Sequence, residues 1–215
     1  MPPGQPRRIA LLSFAYAAVL ALQVGSRLLS GRDQDTVEAM YAAIAAQTTW
    51  HAVYALSVMA PAVLLVAVVA NWNRWRATQP ALLGRMAFWI ALAGGVCWLV
   101  GGLAAVLQTW AALTRMTGNL GPLSPADLEE ARAVCGKLGM SLAGAAILLV
   151  GAGTRLAGPA GLVMVLAAAA SGVAALGIWW EDLPFHRLLG VLYLGWFVAS
   201  GLILPRYSRS APNPA

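Results

Sequence analysis

All eight acidic residues of this chain fall in alternate gaps between six long apolar runs. The amino terminus, the second and fourth gaps and the carboxyl terminus hold Arg7, Arg8, Arg74, Arg76, Arg85, Arg155, Arg206 and Arg209 with no acid, a balance of +8. The first, third and fifth gaps hold Asp33, Asp35, Glu38, Asp127, Glu129, Glu130, Glu181 and Asp182 against six cations, a balance of −2. Together these make the chain's net +6. An alternation of this kind is what a chain threading a membrane six times produces. Because Lys and Arg collect on the cytoplasmic side, it predicts that both termini are cytoplasmic.

Composition agrees. The chain is 60% apolar and 10% charged, whereas charged residues make up about a quarter of a soluble domain. A crossing needs about 20 apolar residues, so six crossings use roughly 120 of the 215 residues and leave no room for a soluble domain. The expected architecture is all-α: one integral membrane domain over 1–215, a single bundle in the membrane of a bacterial cell. The spans are predicted at about 9–29, 50–71, 86–110, 133–153, 158–180 and 185–204, with an outer loop at 114–132 that contains a short acidic helix. The positive charge is dispersed over helix ends, which argues against a nucleic-acid partner and for attraction to anionic lipid on the cytoplasmic side.

The first apolar run, Ile9–Val24, follows Arg7 and Arg8 but is longer than the core of a signal peptide, and no small-residue cleavage site precedes Arg27. It is expected to stay as a span; cleavage would leave the other five orientations unchanged. Cys97 and Cys135 form no disulfide framework, and the predicted spans separate them in depth by roughly 15 Å.

Local signals set the limits of the helices. Asp35 followed by Glu38 has the form of a capping box, so the second helix is expected to run unbroken over about Thr36–Trp75, its first turns above the hydrocarbon and Pro61 as a kink. Ser124, Pro125 and Asp127 form an amino-terminal cap, a first-turn proline and an acid on the helix dipole. Pro205 is expected to end the last helix. Trp50, Trp110, Trp179 and Trp180 fall at the outer interface and Trp72, Trp75 and Trp89 near the inner one. Paired glycines in the third helix and others in the fourth read as close helix contacts.

The strongly polar residues within the spans concentrate in their outer halves: Gln23 and Arg27 on the first; Gln47, His51 and Tyr54 on one face of the second; Gln108 on the third; Lys137 and Ser141 four apart on the fourth; His186, with Tyr193 seven below it, on the sixth. Such groups cost energy in hydrocarbon and tend to face a bundle interior, which predicts an outward-facing polar pocket. Interfacial snorkelling of the cations and interhelical bonding by the glutamines are the plain alternatives.

Three functions fit. The pocket binds or moves a small solute; or His51 or His186 holds a haem b or quinone in a redox subunit; or the chain is an accessory subunit, or a homo-oligomer, stabilising a larger membrane assembly. There is no phosphate-binding loop, nucleophile elbow or HExxH helix.

Overall fold

The computed structural model describes residues 4–75, 81–114, 123–154, 156, 158–180 and 186–210, and among these it is all-helical. Seven helices follow in order: α1 (Gln5–Leu29), α2 (Val37–Ala46), α3 (Thr48–Trp75), α4 (Ala81–Leu113), α5 (Pro125–Ala152), α6 (Gly158–Gly177) and α7 (His186–Ser210). All but the short α2 are long and apolar enough to cross a membrane.

Each long helix packs on the next, and α7 returns to pack on α1. The glycines explain how closely. On α4, Gly94 and Gly101 face α5, where an added Cβ would meet Gly139 O at 3.1 Å and Arg132 O at 3.4 Å. Their neighbours Gly95 and Gly102 face α3, against Ala62 O at 3.1 Å and Ala55 O at 3.4 Å. Two adjacent glycine pairs, repeated after seven residues, thus let one helix touch a backbone on each side. This is the contact that drives association where lipid offers no hydrophobic gain. The registers run in opposite senses, so α4 is antiparallel to both neighbours.

The centre is filled by aromatic rings. Tyr16 stacks on Phe197 at 3.9 Å and lies 6.0 Å from Trp98; Trp72 and Trp196 are 5.7 Å apart. All five are buried. At the end carrying the arginines, Gln5 Nε2 donates to Asn71 Oδ1 (2.9 Å) and Asn73 Nδ2 donates to Gly84 O (2.7 Å), tying α1 to α3 and α3 to α4.

Several expected boundaries need correction. The second helix is not continuous: it breaks at Gln47, whose backbone (φ −125°, ψ 42°) leaves the helical region between α2 and α3. The break lets α2 fold over α4, packing Met40 and Ile44 on Ala112. The cap of α2 is Thr36, which accepts from Ala39 N, not an Asp35–Glu38 box. Pro205 does not end α7, which continues to Ser210; a proline there removes one N–H donor from an otherwise intact helix. Gly101 lies against Cys135, so Cys135 is about one helical turn, ~6 Å, above Cys97 rather than roughly 15 Å. The capping box of Ser124 and Asp127 at the start of α5 is present as expected.

Candidate functional site

The end of the molecule that carries the acids holds a buried charged cluster, and its placement begins with a turn. Gly31 has φ +61°, a conformation that suits glycine, and reverses the chain after α1. The next residue, Arg32, is thereby directed inward beneath α2, and its side chain is 1% exposed. Arg32 Nη2 donates to Glu129 Oε2 on α5 at 2.5 Å and to Met40 Sδ on α2 at 3.7 Å. Its guanidinium also lies 4.9 Å from the centre of the Tyr54 ring on α3, within cation–π range. Burial holds Arg32 below the ordinary arginine value, with Tyr54 and Glu129 opposing the shift.

Glu129 is the hub. Arg132, one turn along α5, donates to it through Nε (2.9 Å) and Nη2 (2.6 Å), and Gln108 Nε2 of α4 donates to Oε2 at 2.9 Å. Arg132 Nη1 reaches the Tyr54 hydroxyl at 2.8 Å. Four segments, the α1–α2 turn, α3, α4 and α5, therefore meet on one carboxylate and one phenol ring.

His51 stands beside them, wholly buried, with its ring 5.5 Å from that of Tyr54. Its Nδ1 is 2.8 Å from Thr109 Oγ1, and Thr109 donates its one hydroxyl hydrogen to Ala105 O at 3.0 Å. With that hydrogen on Ala105 O, the histidine donates from Nδ1, the tautomer that leaves a lone pair on Nε2.

Among the described residues, four buried atoms here find no partner: Arg32 Nη1, Tyr41 Oη, His51 Nε2 and Gln108 Oε1. Tyr41, on α2, also lines a cleft of about 440 Å³ between α2, α4 and the first turn of α5, bounded by Glu38, Ala42, Ala45, Ala111 and Pro125. Burial, and after it the Glu129 carboxylate, push the Tyr41 phenol up to about 12. Of the four residues with an unpartnered atom, Tyr41 lines the cleft, and its phenol lies near enough to Glu129 to feel the carboxylate. Among the described residues, Ser13 Oγ, Ser200 Oγ and Trp196 Nε1 are also unpartnered, on α1 and α7.

Of the residues singled out in the sequence, the structure brings His51, Tyr54 and Gln108 into this cluster. Lys137 and Ser141 belong to another place: Trp179 Nε1 donates to Ser141 Oγ at 2.8 Å, and Lys137 Nζ lies 5.6 Å from a ring of Trp179. Tyr193 is in the core, its hydroxyl 2.5 Å from that of Tyr16. Gln23 is half-buried on α1, and Gln47 is exposed at the break between α2 and α3. His186 opens α7, and its side chain lies outside the described residues. Sequence reasoning passed over Arg32, Glu129, Arg132 and Thr109. The Glu129–Arg132 spacing of three is a helical ion-pair signal; nothing in the sequence marks Arg32 as buried. No family model, curated protein or solved structure matches the chain. Among the described residues, no three of His, Cys, Asp and Glu gather as a metal site.

Proposed function

We propose that this chain is a multi-pass protein of the cell membrane, one six-span domain with both termini cytoplasmic, which binds a small polar solute from the outer side. The charge alternation of the gaps supports the orientation. The binding reading is carried by one observation: Arg32, Tyr41, His51 and Gln108 each present a buried atom without a partner beside a single charged cluster. A buried polar group left unsatisfied costs about 1–3 kcal/mol. A guest that reached all four atoms would recover that cost. The cleft against Tyr41 supplies an approach from outside. Beneath the cluster, the packing of Tyr16, Trp98 and Phe197 fills the core, so the geometry favours a binding site over an open passage.

Thermal unfolding of the detergent-purified full chain, with and without a panel of small polar solutes, tests this. A ligand at 100 times its Kd adds about 2.7 kcal/mol. The reading requires a saturable rise in Tm for some solute, absent in folded His51→Ala. Unshifted melting across the panel in well-folded protein would sink it.

The unpartnered Nε2 of His51 supports a second reading, in which this nitrogen would hold the iron of a haem. An absorption spectrum of the same preparation, oxidised and then reduced with dithionite, separates the two. A Soret band lost in His51→Ala favours haem; a featureless spectrum removes it.

A further inference from the structure

We infer that the solute is a small carboxylate that also carries a hydrogen-bond donor, such as a hydroxy acid or an amino acid. This rests on the binding reading above and specifies its chemistry.

Among the described residues, Arg32 and Arg132 share the single carboxylate of Glu129, so the cluster holds one cation in excess. Glu129 carries one negative charge and already takes four donors. Its Oε1 takes Arg132 Nη2, and its Oε2 takes Arg32 Nη2, Arg132 Nε and Gln108 Nε2. The other described acids at this end, Asp33, Asp35, Glu38, Asp127 and Glu130, are exposed. Asp33 is paired with Arg27 at 2.8 Å, and Asp127 is held in the cap of Ser124. An uncompensated buried charge is strongly unfavourable, and an anion is what completes the cluster.

Each open position also has a type. Arg32 Nη1 is a donor and the Tyr41 hydroxyl can donate, which suits them to the two oxygens of a carboxylate. His51 Nε2 and Gln108 Oε1 are acceptors: the histidine because its proton is on Nδ1, the glutamine because its amide nitrogen is committed to Glu129. Acceptors cannot be satisfied by a bare anion; they require an N–H or O–H on the guest. A halide or a simple fatty acid would answer Arg32 and leave His51 and Gln108 open. A neutral polyol would answer the acceptors and leave the charge. A carboxylate with a nearby hydroxyl or ammonium answers both.

Titration calorimetry on the detergent-purified full chain compares lactate, glycine and serine with propionate, which lacks the donor, with lactamide, which lacks the charge, and with chloride. At least one of the first three should bind saturably and about tenfold or more tighter than propionate and lactamide, the scale of one hydrogen bond to a charged group. Arg32→Gln should erase the preference for lactate over lactamide. Tyr41→Phe, a milder change that removes one hydroxyl, should weaken the carboxylate about tenfold, and it keeps the test open if Arg32→Gln fails to fold. Equal or tighter binding of lactamide overturns the carboxylate while leaving a polar-solute site in place. Equal binding of propionate removes the donor requirement. Absence of heat with every probe, from folded protein, overturns both this inference and the reading it rests on.

Discussion

Arg32 and Glu129 are 97 residues apart in the chain and 2.5 Å apart in the structure, where they pin the turn after α1 to the start of α5. Because Glu129 also takes Arg132 and Gln108, this one carboxylate joins segments separated by most of the molecule. α2 lies over it, held to Arg32 through Met40.

Removing that carboxylate leaves two guanidiniums facing each other in a buried site. Glu129→Gln should therefore lower stability by about 3 kcal/mol, the lower range for breaking a buried pair, since Glu129 is itself 30% exposed. Glu130→Gln, on the exposed side of the same helix, should stay within about 0.5 kcal/mol. Thermal unfolding of the two purified variants measures the contrast; equal midpoints would show that the cluster does not hold this end together.

The glycines of α4 and α5 predict opposite outcomes. At Gly95 a side chain meets the Ala62 carbonyl at 3.1 Å, so Gly95→Val should overpack the α3 contact by about 1–3 kcal/mol. At Gly136 there is nothing within 4 Å, so Gly136→Ala should stabilise by roughly 0.5–1 kcal/mol through helix propensity alone. Urea unfolding in mild detergent reads both, and a stabilising Gly95→Val would contradict the packing.

Tyr41 gives a dependence on pH. Its phenol stands at about 12 against an ordinary 10.0, so the folded state favours the protonated form. That contribution is fully present below pH 10.0 and is lost as pH rises towards about 12. Stability should fall across that alkaline window, and Tyr41→Phe should fall less. Superimposable pH–stability curves for the two proteins would show that this hydroxyl is not buried against Glu129.

The charge alternation predicts a labelling pattern in cells. In a background of Cys97→Ala and Cys135→Ala, Asp35→Cys should react with a membrane-impermeant maleimide in intact cells, and Arg7→Cys only after permeabilisation. The reverse pattern would invert the topology and place the cluster on the inner side.

The parts legible in the sequence were those set by local or periodic rules. The apolar runs mark the six long helices, Ser124 with Asp127 marks the start of α5, and the glycine pairs of α4 mark close contacts. His51, Tyr54 and Gln108 stood out because polar groups are costly within a span. What sequence could not show was long-range. Arg32 and Glu129 lie among loop charges that look solvated, and their burial depends on α2 folding back over α4. That fold depends in turn on a break at Gln47, where no glycine or proline announces it. Lys137 and Ser141 share the depth and polarity of the cluster, but Trp179 engages them instead. Depth places a residue along a helix; which neighbour its face meets is set by packing.

The most direct test of the central claim is an experimental density map of the full chain, purified without added ligand and again with a carboxylate that binds, at a resolution that shows waters. Density for a guest, or for waters that the carboxylate displaces, is expected within hydrogen-bond distance of Arg32 Nη1, Tyr41 Oη, His51 Nε2 and Gln108 Oε1. If those four atoms instead pair with one another or with protein side chains, and no added solute changes the map there, the site does not exist.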